Sequence, residues 1–294
     1  MNYPHQDIVR AEMKCVARWF GCLLAFGFLI ACPEAIQAQV RSVLDPTPQA
    51  VFGGGERTIR VHFQNSGAEE VSGEVRARLL QLTSATAVPI RVMPWKTLRV
   101  LPGQEVVEGF QTEFPTVKAE TRFAIQWVDA TGRVMGRTDV RVFPGHPLGG
   151  LKPLLEGSAV GVVDPANRIA PVLREAGVDV EILATDDLAG FEGRLLICGS
   201  TGDKASDPVP SAADLRRLAR KGMAVVWLVA PESGKPLKPS FERMPEGDGT
   251  MMIANPSLVE ELATSPQAQN NLLELANQAM RPVPSARPDS DQNE

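Results

Sequence analysis

Hydrophobic and polar positions alternate along residues 58–144. The clearest runs are Ile59 to Phe63, Val75 to Leu79, Phe123 to Trp127 and Val140 to Val142. A period of two turns one face of a strand inward and the other toward water, as in antiparallel sheets. Because the runs are short and no helical stretch lies between them, the pattern predicts an immunoglobulin-like (Ig-like) β-sandwich over residues 39–144.

Turn residues divide the chain further. Asn65-Ser66-Gly67 separates two alternating runs, and Asp129-Ala130-Thr131-Gly132 joins two others, which predicts a hairpin loop. A stretch rich in proline and glycine, residues 144–153, follows the last run. It predicts a linker over residues 145–156 and a domain boundary there.

After this boundary, continuous apolar runs alternate with segments of helical spacing. Buried strands are predicted at residues 159–163, 178–183, 194–198, 223–229 and 250–253. Helices are predicted at residues 169–176, at 211–221 with Ser211 as the N-cap, and at 265–280 with Pro266 in the first turn. The alternation indicates a three-layer α/β domain over residues 157–280, with a mainly parallel sheet covered on both faces. Residues 281–294, rich in proline, serine and aspartate, predict a disordered tail.

The N-terminus has the layout of a secretory signal peptide over residues 1–38. Basic residues precede an uncharged apolar run, Trp19 to Cys32, and a small residue, Ala38, ends the polar stretch after it. The run falls short of the ~20 residues that cross a bilayer comfortably, although an uncleaved anchor stays open as an alternative. A second alternative is cleavage before Cys32, with lipidation of that cysteine. Either way, the chain is expected to act outside the cytoplasm.

Charge and composition restrict the partners. The net charge is -5, and aromatic residues make up 5% of the chain. Nucleic-acid binding requires a concentrated basic face and often aromatic stacking platforms, so no nucleic-acid partner is expected. Contact with a membrane is expected only through the leader or a lipid at Cys32. The expected partner is an envelope protein or a glycan.

Several motifs after residue 157 resemble class I glutamine-amidotransferase-like domains, which have a flavodoxin-like α/β fold. The resemblance rests on Gly161 to Asp164, Leu195 to Gly199, Leu215 to Leu228 and the helix that begins at Thr264-Ser265-Pro266. The preceding half resembles sandwich modules of exported bacterial proteins associated with glycoside hydrolases, through the turn Phe63 to Gly67 and residues 102–144. The resemblance implies a flavodoxin-like α/β domain preceded by a β-sandwich.

Catalysis of the amidotransferase type needs a cysteine in a Gly-x-Cys-x-Gly elbow and a histidine that activates it. Cys198 has Ile197 before it, and the histidines after the leader are His62 and His146, both outside the α/β segment. The resemblance therefore implies a catalytically degenerate domain, and Cys198 is expected to be a buried, inert thiol. The sequence predicts no metal site and no cofactor, because it contains no His/Cys cluster.

Polar residues at predicted strand ends are candidates for a ligand cleft. Asp164 follows the first strand of the α/β segment, Ser200, Thr201 and Asp203 follow a later one, and Asn255 follows the last. Ligands of open α/β sheets bind at the carboxyl ends of strands. Each of these residues also suits a simple turn or helix cap.

These features favour a non-catalytic binding or scaffolding module of the cell envelope. An alternative is a carbohydrate-active hydrolase or esterase that uses a carboxylate site around Asp164, Ser200 and Asp203. A third is a subunit that assists a larger complex.

Overall fold

The computed structural model describes residues 40–199, 210–229 and 241–281. They form an α/β-type fold with a large share of strand, arranged in three sheets. The predicted leader with Cys32, the loop residues Ser200, Thr201 and Asp203, and the predicted tail beyond Arg281 lie outside the described residues.

Eight strands come first in the described chain. They are β1 Val40–Val43, β2 Gln49–Phe52, β3 Gly55–Asn65, β4 Val71–Leu82, β5 Ala87–Val100, β6 Glu105–Phe114, β7 Thr121–Asp129 and β8 Val134–Phe143. They form a three-stranded antiparallel sheet, β1-β3-β6, and a five-stranded sheet, β2-β8-β7-β4-β5. In the second sheet β2 pairs in parallel with β8, whereas the other pairs are antiparallel.

The two sheets share one hydrophobic core. Trp127 lies at its centre, with ring centroids 5.8 Å from Phe63, 5.0 Å from Trp95 and 5.1 Å from Phe110. The indole N–H of Trp127 donates to the Thr138 hydroxyl at 3.0 Å, so the one polar atom of the ring is satisfied. The alternating positions named in the sequence are buried, which confirms the inward face predicted from them.

Further strands and helices follow. The strands are β9 Val160–Val163, β10 Val180–Ile182, β11 Leu195–Gly199, β12 Ala224–Leu228, β13 Phe241–Glu246 and β14 Gly249–Ala254. The α-helices are α1 Lys152–Leu155, α2 Ala170–Glu175, α3 Ala212–Arg220, α4 Ser257–Glu261 and α5 Pro266–Met280, and 3-10 helices span Pro147–Leu151 and Thr185–Gly190. Ser211 caps α3 through its hydroxyl, as predicted, and the Ser265 hydroxyl caps α5 in the same way.

The third sheet has the strand order β10-β9-β11-β12-β14-β13. Its first five strands are parallel, and β13 is antiparallel to β14. Separate apolar clusters lie on its two faces, one formed with α1, α2, α4 and α5 and the other with α3. The structure therefore shows an α/β-type arrangement with a mainly parallel sheet, as the sequence predicts.

Two strands differ from the sequence-based expectation. β10 was predicted as a buried strand, but it lies at the sheet edge and its Ile182 side chain is 55% exposed. The sequence missed β13, because its charged residues and Pro245 are atypical of a buried strand. Both strands lie at edges, where one neighbour covers each of them and burial constrains the sequence less.

The segment predicted as a linker is corrected by the structure. Residues 147–155 are helical, and Leu148, Leu151 and Leu155 are buried in the core beneath α5. Their spacing of three and four residues forms an apolar helical face, which outweighs the local glycine and proline content. The stretch is therefore part of the α/β core.

Helix α5 connects the parts of the described chain. It packs against the third sheet and the 3-10 helix 147–151, and it also contacts β2 of the five-stranded sheet. None of the helices in the described ranges combines the length and the apolar character needed to cross a membrane.

Candidate functional site

The strand order changes direction between β9 and β11. From β9 the chain passes to β10 on one side of β9 and then to β11 on the other side. Open α/β sheets bind ligands outside the carboxyl ends of strands at such a point. Asp164, directly after β9, lies there and borders an open groove of about 310 Å³ with Pro165, Leu183 and Thr185.

The carboxylate of Asp164 holds the start of α2. Its Oδ2 accepts hydrogen bonds from the backbone N–H groups of Ile169 at 2.6 Å and Ala170 at 3.0 Å. Its backbone carbonyl accepts from the N–H of Asn167 at 2.9 Å. These bonds satisfy helix N-terminal donors, so the carboxylate has a structural role.

Asn255 has a similar role at the end of β14. Its Oδ1 accepts from the backbone N–H of Ser257 at 2.9 Å, and its carbonyl accepts from Leu258 at 3.3 Å, where α4 begins. β11 and β12 lie between the strands that carry Asp164 and Asn255, which corresponds to about 14 Å at the usual strand spacing. The structure therefore does not bring these two candidates into one cleft.

Cys198 lies inside β11 and is 0% exposed. Burial raises the pKa of its thiol, because the apolar surroundings disfavour the charged thiolate. His62 is on β3, where its Nδ1 lies 3.1 Å from a carboxylate oxygen of Glu105. Because it is buried and its pKa is raised, the Cys198 thiol has the environment of a packed core residue and not of a nucleophile.

A cavity of about 290 Å³ lies beside Asn255, between β13, α4 and α5, and is called the α5 cavity below. Its apolar surface comes from Phe241, Ala254, Leu258, Ala268 and Leu275. Its polar groups are those of Asn255, Ser257, Glu261, Gln267, Asn271, Glu274 and Gln278. Four of these polar residues are spaced along one side of α5, which places them in a single row.

Apart from Asn255, sequence reasoning missed the α5 cavity. The spacing of Gln267, Asn271, Glu274 and Gln278 was a visible signal, but a polar row on an amphipathic helix is also the ordinary solvent face. Among the described residues, no group of three His, Cys, Asp or Glu side chains is arranged to hold a metal ion.

Comparison with known proteins gives only distant likenesses. No protein-family model matches the chain, and no curated protein matches it. Among solved structures, the alkylpurine DNA glycosylase AlkC of Pseudomonas fluorescens is 12% identical, with a TM-score of 0.29, over 36% of this chain and 31% of that one. A β-glucosidase from Listeria innocua is also 12% identical, with a TM-score of 0.27, over 36% of this chain and 16% of the enzyme.

A Niemann-Pick type C2 protein from the Japanese carpenter ant is 10% identical, with a TM-score of 0.26, over 32% of this chain and 78% of that one. The chain thus spans less than a third of the glycosylase and about a sixth of the glucosidase. Likenesses at this level carry no inference about fold or activity.

Proposed function

We propose that the protein is a non-catalytic binding or scaffolding module exported to the cell envelope, where it holds an envelope protein or a glycan. Its first half is proposed to be an Ig-like sandwich. Its second half is proposed to be an amidotransferase-like domain that has lost its catalytic elbow. No cofactor, metal or nucleic acid is part of this proposal.

The observation that carries the proposal is the hydrogen bonding of the Asp164 carboxylate. At the position where an α/β sheet exposes its reactive groups, this carboxylate accepts two backbone hydrogen bonds at the start of α2. The burial of Cys198 in β11 points the same way, since a thiolate is the reactive form. A non-catalytic role is supported because the Asp164 carboxylate holds backbone N–H groups and the Cys198 thiol is buried.

The finer fold assignment draws support from topology. Counted in chain order, the parallel strands β10-β9-β11-β12-β14 have the order 2-1-3-4-5, which is typical of flavodoxin-like sheets. In the first half, a buried tryptophan at the centre of two packed sheets is a feature shared with Ig-like domains. Export is supported by the layout of residues 1–38 alone.

Two measurements test the proposal. Mass spectrometry of the native N-terminus is expected to show either Gln39 or a lipidated Cys32, and an unprocessed leader on a cytoplasmic protein would contradict export.

For function, the purified protein is expected to give no turnover on panels of glycoside and ester substrates, and to retain a partner from envelope extract or a glycan array. Turnover that survives purification and is lost with one substitution in residues 157–280 would instead support the hydrolase alternative.

A further inference from the structure

We infer that the α5 cavity binds one uncharged sugar ring of an envelope glycan. This inference rests on the proposed function and makes it specific: it assigns the ligand class and the site. The groups that would recognise the sugar are the amides in the row on α5, together with Asn255 and the ring of Phe241.

The dimensions suit one ring-sized ligand. A volume of about 290 Å³ is near the lower bound of about 300 Å³ for small-molecule sites. A folded protein partner typically covers about 800 Å² of a broad surface, which a cavity of this size does not offer. The concave shape therefore favours a terminal or branching sugar over a protein surface.

The distribution of polar and apolar groups matches the two sides of a sugar. Phe241, Leu258 and Leu275 give an apolar surface, against which the C–H groups of a pyranose ring can pack. Polar side chains from two helices surround it. A sugar has the same division, with C–H groups on the ring faces and hydroxyl groups around its edge.

Amides are well suited to sugar hydroxyls because each carries both a donor and an acceptor. Gln267 donates from Nε2 to Asn271 Oδ1 at 2.7 Å, which orients both side chains and leaves the Gln267 oxygen and the Asn271 nitrogen for a ligand. Asn255 uses Oδ1 to hold Ser257, which leaves its Nδ2 as a donor. A hydroxyl group also donates and accepts, so neighbouring hydroxyls can pair with these atoms.

The charges of the residues that line the cavity restrict the ligand class further. The described residues that line the cavity include Glu261 and Glu274 but no lysine or arginine. The Glu274 carboxylate accepts from Asn270 Nδ2 at 2.9 Å, which orients it. A carboxylate or phosphate on the ligand would meet like charge, whereas hydroxyl groups can donate to these oxygens. Uronic acids and phosphorylated sugars are therefore expected to be excluded.

The experiment compares full-length mature protein with matched variants on an array of neutral and uronic-acid-containing oligosaccharides, followed by calorimetric titration of the strongest hit. Wild-type protein is expected to bind neutral glycans and not acidic ones. Asn271→Ala combined with Gln278→Ala is expected to weaken that binding at least about tenfold, since two hydrogen-bonding side chains are lost. Asn277→Ala, on the same helix but outside the cavity, is expected to leave it unchanged.

The outcomes separate this inference from the proposed function. Neutral-glycan binding that is unaffected by the double variant, or a preference for acidic glycans, would overturn the cavity assignment and leave a binding role intact. Retention of an envelope protein, together with no signal on the glycan array, would also overturn the cavity assignment and leave a binding role intact. A blank array and no retained partner would overturn both. Thermal melting of each variant, with little change expected at exposed Asn271, excludes unfolding as the cause of lost binding.

Discussion

The Asp164 carboxylate lies 2.6 Å from the backbone nitrogen of Ile169, and so fixes the first turn of α2 from the end of the neighbouring strand. This contact holds the loop between β9 and α2 in place. It also engages the carboxylate that would otherwise be the best candidate for acid or base chemistry at this edge of the sheet.

Replacing Asp164 tests that assignment. Asp164→Ala is expected to lower the free energy of unfolding by about 1–2 kcal/mol, because two backbone donors lose a charged acceptor. Asp164→Asn keeps one oxygen and is expected to cost less. Urea denaturation at neutral pH measures both, with the exposed Asp179→Ala as a control that changes stability by less than about 0.5 kcal/mol. Unchanged stability in Asp164→Ala would contradict the capping role.

Asn65, the last residue of β3, provides a second test, because its side chain holds the turn that follows. It is 0% exposed, its Nδ2 donates to the carbonyls of Glu69 at 2.7 Å and Val100 at 3.1 Å, and its Oδ1 accepts from Gly67 N–H at 2.9 Å. Asn65→Ala is expected to cost about 1–3 kcal/mol, since it leaves buried partners unsatisfied.

Asn65→Asp is expected to cost more, because it places a carboxylate against two carbonyl oxygens. Denaturant unfolding ranks the two variants, and Gln64→Ala, one residue away and exposed, is the control. If Asn65→Asp were as stable as the wild type, the hydrogen bonds to Glu69 and Val100 would not stabilise the turn as the structure indicates.

The core between the first two sheets could be predicted from the sequence because its determinant is local. Side chains such as Ile59, Phe63 and Trp127 alternate with polar neighbours, and the structure buries each of them. Periodicity failed at Leu148 and Leu151, where glycine and proline concealed an apolar helical face. At β13, pairing with β14 decides the structure, and such pairing is not visible in a single segment.

The candidate site was predicted less well, for a related reason. Asp164 and Asn255 were found because they follow apolar strands, but their side-chain partners depend on how the next helix begins. The α5 cavity is lined by both Phe241 and Gln267, and neither residue is unusual in its own segment. A cavity assembled from separate elements becomes recognisable only when those elements are packed together.

Cys198 gives a direct test of access to the sheet. Because the thiol is buried and its pKa is raised, a thiol-specific alkylating reagent is expected to label it far more slowly in the native protein than in urea. Mass spectrometry of the peptide that contains Cys198 follows the labelling and separates it from the leader cysteines. Rapid labelling of the folded protein would show that the thiol is accessible and would reopen the question of a nucleophile.

The pair formed by Glu120 and Arg141 predicts a pH dependence of stability. The Glu120 carboxylate accepts from Arg141 Nε and Nη2, each at 2.6 Å, and this hydrogen bonding lowers the pKa of Glu120. A lowered pKa in the folded state means that the contribution is full above the unfolded value of about 4.3, and is lost as pH falls through the folded value.

At pH 7, Glu120→Gln is therefore expected to destabilise the protein by at most about 1 kcal/mol, the range of partly exposed ion pairs. Below pH 4 the difference between the variant and the wild type is expected to shrink, as the wild-type carboxyl becomes protonated and neutral like the amide. Urea midpoints at intervals between pH 7 and pH 3 measure this.

A double-mutant cycle with Arg141→Met isolates the pair from the stacking of Arg141 over Phe143, whose ring centroid lies 5.2 Å away. The coupling energy in that cycle is expected to follow the same pH profile. A coupling energy that stayed constant from pH 7 to pH 3 would mean that the ionised form of Glu120 contributes nothing to the contact, contrary to the charge-assisted geometry.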